Sequence, residues 1–97
     1  MNIDFIKDGA TLTVNPEGRL DTVTAPEFES FLNEHIVGID KLIINCEKLA
    51  YVSSAGLRVL LSMQKKLGAS MKLTNVCELV MEVFEMTGFA EILSIEA

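Results

Sequence analysis

The N-terminal part of the chain alternates apolar and polar side chains, the period of a β-strand with one buried face. Ile3 and Phe5 alternate in the segment 2–6, and Leu12 and Val14 alternate in 10–15. A Lys-Asp-Gly turn separates these segments, so they predict a β-hairpin. The next residues, Asn-Pro-Glu-Gly, predict a turn, and Arg-Leu-Asp beyond them predicts a short strand.

Three later segments place apolar residues at the spacing of a helix packed on one face. The first covers 24–37, where Thr24 and Glu27 predict a capping box. The second covers 54–67 and the third 76–87, the latter with Asn75 and Glu78 in cap positions. Glycines at 38, 68 and 88 predict the three ends. The expected apolar faces are Phe28, Phe31, Leu32 and Ile36 in the first helix, Leu57, Leu60, Leu61 and Leu67 in the second, and Leu79, Val80, Val83 and Phe84 in the third.

Short apolar runs lie between the helices and predict the other strands. The run 41–46 is continuous and β-branched, which is typical of a strand buried on both faces, and 71–74 and 91–95 predict two more strands. Strands that alternate with helices indicate an α/β fold: a mixed sheet of four to five strands, opened by an antiparallel hairpin, with helices packed on it. Sites in such folds gather at the carboxyl ends of the parallel strands.

Composition and charge narrow the classes of function. The 97 residues, 49 % of them hydrophobic, indicate a single domain over 1–97 with one core. A net charge of −6 disfavours nucleic acids and anionic membranes as partners. No apolar run approaches the roughly 18 residues of a membrane span, and no signal peptide is visible. With Cys46 and Cys77 expected to stay reduced, the chain is predicted to be cytoplasmic.

The adjacent residues Ser53 and Ser54 lie where the chain leaves the sheet edge and enters the second helix. One of them is predicted to be the helix N-cap, and a serine exposed there is also within reach of a modifying enzyme. A phosphoryl group would be tolerated by the fold because it lies at the positive end of the helix dipole. Ala55 and Gly56 keep the surroundings small, so we expect a partner to approach closely and Gly56→Val to fold but bind it weakly.

The sequence gives little support for catalysis, for a phosphate-binding loop or for metal binding. The chain lacks the Gly-x-Ser-x-Gly elbow of a hydrolase and the glycine-rich loops that bind phosphates. His35 falls in the first helix and is predicted to be a surface or partly buried residue. Two separated cysteines and one histidine give no zinc spacing. We therefore expect no catalytic residue, metal or cofactor. Asp21 is either a turn or strand-end residue or part of a binding surface.

Three segments resemble the STAS domain, specifically the bacterial anti-sigma-factor antagonists. The most specific is LIINCEKLAYVSSAGLRVLLSMQKKL, which resembles the family's strand, loop and Asp-Ser-x-Gly-Leu signature. PEGRLDTVTAPEFESFL resembles its Gly-x-Leu-Asp segment and first helix, and VMEVFEMTGFAEILSI its penultimate helix and last strand. Together these segments cover nearly the whole chain. It stops at Ser-Ile-Glu-Ala, where many members continue into a last helix, so a short C-terminus is expected.

The resemblance implies a regulatory mechanism. Members bind an anti-sigma factor that is also a serine kinase. Phosphorylation of a serine at the start of the second helix breaks the complex, and a serine phosphatase restores it. By position the phosphoacceptor is Ser54; Ser53 stands where the family usually has an acid and is the second choice. The implied partner-binding residues are Asp21, Ser53, Ala55, Gly56 and Arg58.

Three alternatives stay open. STAS-like domains also serve as non-phosphorylated scaffold subunits of membrane lipid-transport complexes, which would keep the fold without the switch. A sensor of small molecules or nucleotides could use the same sheet edge, and would need a pocket there. A hydrolase is a more distant alternative, since neither serine has a recognisable base.

Overall fold

A computed structural model describes residues 1–96 as a mixed sheet with three helices. The strands are β1 (Asn2–Asp8), β2 (Thr11–Leu20), β3 (Lys41–Asn45), β4 (Leu49–Val52), β5 (Met71–Thr74) and β6 (Ile95–Glu96). The helices are α1 (Ala25–His35), α2 (Ser54–Leu67) and α3 (Glu78–Thr87). The predicted α/β class and N-terminal hairpin are confirmed, but the sheet has six strands rather than four or five.

The strand order is β1-β2-β3-β5-β6, with β4 paired to the far end of β2. Only β1 and β2 are antiparallel among the pairings of residues 1–96. Strand β2 pairs with β3 as far as Val14 and with β4 from Gly18 onwards, with a register shift between Gly18 and Arg19. This long strand carries the chain from the hairpin to the start of α1.

The turn predicted over Asn-Pro-Glu-Gly is wrong, because these residues lie inside β2. Pro16 falls in the gap between the pairing with β3 and the pairing with β4, where its missing N–H disturbs neither parallel ladder. Gly18 has φ +97°, a backbone conformation that favours glycine, at the point where β2 changes partner. Of the separate strand predicted at 19–21, Arg19 and Leu20 are the end of this same element and Asp21 lies just beyond it.

The core lies on the helix-covered face of the sheet. In β3 the side chains of Leu42 and Ile44 are buried, whereas Ile43 is only half-buried, so the expectation that this strand is buried on both faces is wrong. The apolar face predicted for α3 is only partly confirmed, because Leu79 is 55 % exposed. The helical residues that fill the core include Phe28, Leu32, Leu57, Leu60, Val80 and Phe84.

The three predicted helices are confirmed within three residues at every end. Gly68 and Gly88 terminate α2 and α3 with φ of +54° and +81°, as their positions in the sequence indicate. Asn75 does not cap α3: Cys77 is at the N-cap position, and Asn75 Nδ2 donates to Asn45 Oδ1 at 3.0 Å. The predicted last strand exists but is shorter and later than 91–95: a 3₁₀ turn covers Phe89–Glu91, and the chain pairs with β5 only at Ile95–Glu96.

Candidate functional site

The carboxyl ends of β2 and β4 lie side by side at one edge of the sheet. Their parallel register pairs Leu20 with Val52, so the residues that follow, Asp21 and Ser53, are neighbours. The Ser53 N–H donates to the Leu20 carbonyl at 2.9 Å and fixes this contact. Two segments far apart in sequence therefore meet where α1 and α2 begin.

The segment before α1 is closed by its own side chains. Asp21 Oδ1 accepts from the N–H groups of Val23 and Thr24, at 3.0 and 3.1 Å. In return Thr24 Oγ1 accepts from the Asp21 N–H at 2.9 Å and donates to the Arg19 carbonyl at 2.7 Å. The backbone N–H of Thr24, more than any other group, lowers the pKa of Asp21 from its ordinary value of 3.8.

This reciprocal pair replaces the capping box expected at Thr24 and Glu27. Thr24 makes no side-chain cap hydrogen bond to α1. The Glu27 carboxylate instead lies 3.2 Å from the terminal ammonium of Met1. Of the two interpretations of Asp21, the structure supports a turn residue, because its carboxylate is held by the backbone N–H groups of Val23 and Thr24.

The start of α2 is open. Ser53 is the N-cap by its extended backbone, and its carbonyl accepts from the Leu57 N–H at 2.9 Å. Its hydroxyl makes no cap bond: Ser53 Oγ is buried, with no hydrogen-bond partner among residues 1–96. The predicted N-cap is thus confirmed in position but not in side-chain chemistry. Ser54, the first residue of the helix, is exposed.

The expectation that Gly56→Val leaves the fold intact is wrong, because Gly56 is packed inside the domain. It is buried in α2 against Leu20. A Cβ added at Gly56 would lie 2.7 Å from Leu20 Cγ and 2.8 Å from the Leu20 carbonyl oxygen. Glycine is needed here for contact between α2 and β2, and a larger side chain would act on the fold before it acted on any interface.

A shallow groove between α1 and α2 extends from this open helix start. It is lined by Thr22, Ala25, Pro26, Glu29, Ala55, Arg58 and Val59. Two of the implied partner-binding residues, Ala55 and Arg58, therefore lie together on this surface. Arg58 is exposed, and within residues 1–96 no carboxylate lies within 4.0 Å of it.

Sequence reasoning missed Thr22 and Glu29, which line this groove, and Arg19, which lies beside Asp21. The Arg19 guanidinium lies 4.2 Å over the Tyr51 ring, and its Nε is 3.6 Å from Asp21 Oδ2. The register of β2 and β4 places Arg19 opposite Tyr51. The only sequence signal for the contact between Arg19 and Tyr51 was the short apolar segment Leu49–Val52, which forms β4.

The other singled-out residues are elsewhere. His35 is half-buried at the end of α1, and its ring stacks on that of Phe31 with 4.0 Å between the ring centroids. Cys46 is a buried core residue, and burial raises the pKa of its thiol to about 12. Cys77 Sγ lies 3.5 Å from the Leu49 carbonyl. Among residues 1–96 no cluster of side chains is suited to a metal ion. No helix in that range is long and apolar enough to span a membrane.

Fold and site together define an α/β domain with an exposed serine at an open helix start beside a strand-end aspartate. The STAS domain family model matches residues 2–97, and the chain belongs to this family. It is 32 % identical over 104 residues to the anti-sigma-B factor antagonist of Bacillus subtilis (strain 168), covering all of this chain and 92 % of that protein.

Solved structures of anti-sigma factor antagonists share the fold. Unphosphorylated SpoIIAA superposes with a TM-score of 0.81 at 20 % identity, covering 99 % of this chain and 89 % of that one. The phosphorylated form of SpoIIAA, the Bacillus cell fate determinant, gives a TM-score of 0.72 at 19 % identity, with 99 % and 92 % covered. The predicted STAS fold is confirmed.

Proposed function

We propose that this chain acts, as a single STAS domain over residues 1–97, as an anti-sigma-factor antagonist in the cytoplasm rather than as an enzyme. It binds an anti-sigma factor that is also a serine kinase. Phosphorylation of Ser54 releases that partner, and a serine phosphatase reverses the modification. The observation that carries this proposal is the exposed Ser54 at an open helix start, in a chain similar to named antagonists.

Accessibility favours Ser54 over Ser53 as the phosphoacceptor. A kinase must align the acceptor hydroxyl with the phosphoryl group that it transfers. A buried hydroxyl oxygen cannot reach that alignment without local unfolding. Ser53 Oγ is buried, whereas Ser54 is exposed. The phosphorylated form of SpoIIAA shows that an antagonist of this fold is compatible with the modification.

The partner surface in this proposal comprises Asp21, Ser54, Ala55 and Arg58 with the groove between α1 and α2. The neutral hydroxyl of Ser54 allows a partner to pack over the helix start. A phosphoryl group adds a charge of about −1.5 to −2, and covering that charge with the partner costs desolvation free energy. A penalty of roughly 3 kcal/mol weakens binding about a hundredfold.

The test uses the cognate kinase and the variants Ser54→Asp, Ser54→Ala and Ser53→Ala. We expect Ser54→Asp to stay folded and bind the anti-sigma factor about a hundredfold more weakly. Ser54→Ala should bind and not be phosphorylated, whereas Ser53→Ala should still gain one phosphate in intact-mass spectra. Ser30→Asp, an exposed acidic substitution on α1, is the control for charge alone and should bind normally.

Two results would contradict this proposal. Phosphate on Ser53 alone would move the acceptor to the buried position. No phosphate on the wild-type protein, together with normal binding of Ser54→Asp, would leave a STAS domain without the switch, as in the scaffold alternative.

A further inference from the structure

Ser54 and Arg58 occupy one face of α2, one turn apart. Residues at i and i+4 of a helix have Cβ atoms about 5–6 Å apart, and their side chains meet on the surface. Both residues are exposed. We propose that Arg58 is an internal receptor for the phosphoryl group of Ser54, so that the modified serine is held by the domain's own helix. This inference rests on the proposed phosphorylation of Ser54.

The state of Arg58 before modification favours this role. Arg58 and Glu29 both line the groove. Neither Glu29 nor any other carboxylate of residues 1–96 forms an ion pair with Arg58. Its guanidinium therefore gives up no existing pair when it turns towards Ser54. Arginine suits the task because its planar fork donates two parallel hydrogen bonds to a phosphate.

Of the other charged groups around the helix start, Arg19 and Asp21 are already engaged. Arg19 lies on Tyr51 and near Asp21, as described above. Asp21 accepts two backbone N–H groups. Of the carboxylates that face this region, Asp21 at the end of β2 and Glu29 on α1 both repel a phosphate. Arg58 on α2 is the cation positioned to offset that repulsion.

The open start of α2 provides a second set of donors. Ser53 makes no side-chain cap bond, so backbone N–H groups of the first turn are left without a side-chain acceptor from this residue. A phosphate on Ser54 can accept from such groups while Arg58 holds its outer oxygens. The consequence for regulation is that one modification changes two surface groups: the hydroxyl becomes a dianion, and the free guanidinium is withdrawn from the partner surface.

The test installs phosphoserine at position 54 during translation, so that it needs no kinase. Wild type, Arg58→Gln and Arg58→Lys are compared with and without the phosphate. Lys65→Gln is the matched control, because Lys65 is an exposed cation further along α2 and out of reach of Ser54. The readouts are the melting temperature and the pKa of the phosphate from ³¹P NMR.

We expect the phosphate to raise the melting temperature of the wild type by roughly 3 °C more than that of Arg58→Gln. The second pKa of the phosphate, ordinarily about 6, should be lower in the wild type than in Arg58→Gln by about half a unit. Arg58→Lys should keep part of both effects, and Lys65→Gln should match the wild type.

The same phosphate effect in wild type and Arg58→Gln, in both readouts, would overturn the role of Arg58. Equal losses in Arg58→Gln and Lys65→Gln would overturn it too, since they would report general charge rather than contact. Neither result bears on whether a kinase modifies Ser54, because the phosphoserine is built in. Conversely, a wild-type protein that no kinase phosphorylates would fail the proposed function without touching this measurement.

Discussion

The starts of α1 and α2 lie side by side at one edge of the sheet and are built in opposite ways. Before α1, Asp21 and Thr24 satisfy each other's backbone N–H groups through their side chains. At α2, the serine in the N-cap position turns its hydroxyl into the interior, where it finds no partner in residues 1–96. One start is complete within the domain, and the other leaves its first turn available.

Under the proposed function, this difference separates residues that hold the fold from residues that meet the partner. Side chains that satisfy backbone groups, such as Asp21 and Thr24, hold the segment between β2 and α1 in place. The open start at Ser53 and Ser54 leaves the first turn of α2 without a side-chain cap and presents the exposed Ser54. Substitutions at the two starts should therefore have different effects on stability.

The largest effect is expected at Gly56, which holds the open start against β2. Gly56→Val places its Cβ 2.7 Å from Leu20 Cγ and 2.8 Å from the Leu20 carbonyl oxygen, so the backbone must shift. We expect a loss of about 3 kcal/mol in the free energy of unfolding, measured by urea denaturation. Ser54→Ala, an exposed change in the same turn, is the control. A Gly56→Val protein as stable as that control would refute the tight contact.

The contact between Gly56 and Leu20 could not be predicted from the sequence. The sequence shows a residue without Cβ but not what lies opposite, because Leu20 belongs to a distant strand. The helices were predictable, since apolar spacing and the terminal glycines Gly68 and Gly88 are local signals. Strand β4 was not, because four residues with two buried side chains give too short a pattern.

The hydrogen bonds at the two helix starts were also beyond prediction from local sequence. Thr24 and Glu27 have the spacing of a capping box, but the Thr24 hydroxyl bonds to Asp21 and Arg19 instead. Local spacing cannot reveal that competition, since it depends on how β2 enters the helix. Ser54 could be selected as the proposed phosphoacceptor from the family signature. The burial of the Ser53 hydroxyl could be seen only in the structure.

A smaller loss is expected at the closed start from Thr24→Val. Valine keeps the shape of threonine but removes the hydroxyl that accepts from Asp21 N–H and donates to the Arg19 carbonyl. We expect the free energy of unfolding to fall by about 1–2 kcal/mol in urea titrations. Thr22→Val, an exposed neighbour, is the control. Equal stability of both variants would show that the closed start is not held by this hydroxyl.

The charge of Asp21 should appear as a dependence of stability on pH. Its pKa is lowered in the folded state, so the ionised carboxylate stabilises the fold above the ordinary pKa of 3.8. That contribution is lost as the pH falls through the folded-state value. Asp21→Asn keeps an oxygen acceptor but has no such charge, so its melting temperature should approach that of wild type as the pH falls below about 4. A constant difference between pH 7 and pH 3 would contradict a role for the charge.

The smallest effect is expected at the open start, from Ser53→Ala. The Ser53 hydroxyl is buried without a partner in residues 1–96, and an unsatisfied buried polar group destabilises a fold by about 1–3 kcal/mol. Its removal leaves a small void, which offsets part of the gain. We expect unfolding free energies within about 0.5 kcal/mol of wild type, or slightly higher. Ser53→Ala is therefore the counterpart of Thr24→Val: the same loss of a hydroxyl beside a helix start, without the loss of stability. A decrease of 1 kcal/mol or more would mean that the hydroxyl has a partner, such as a bound water, and that α2 is capped like the segment before α1.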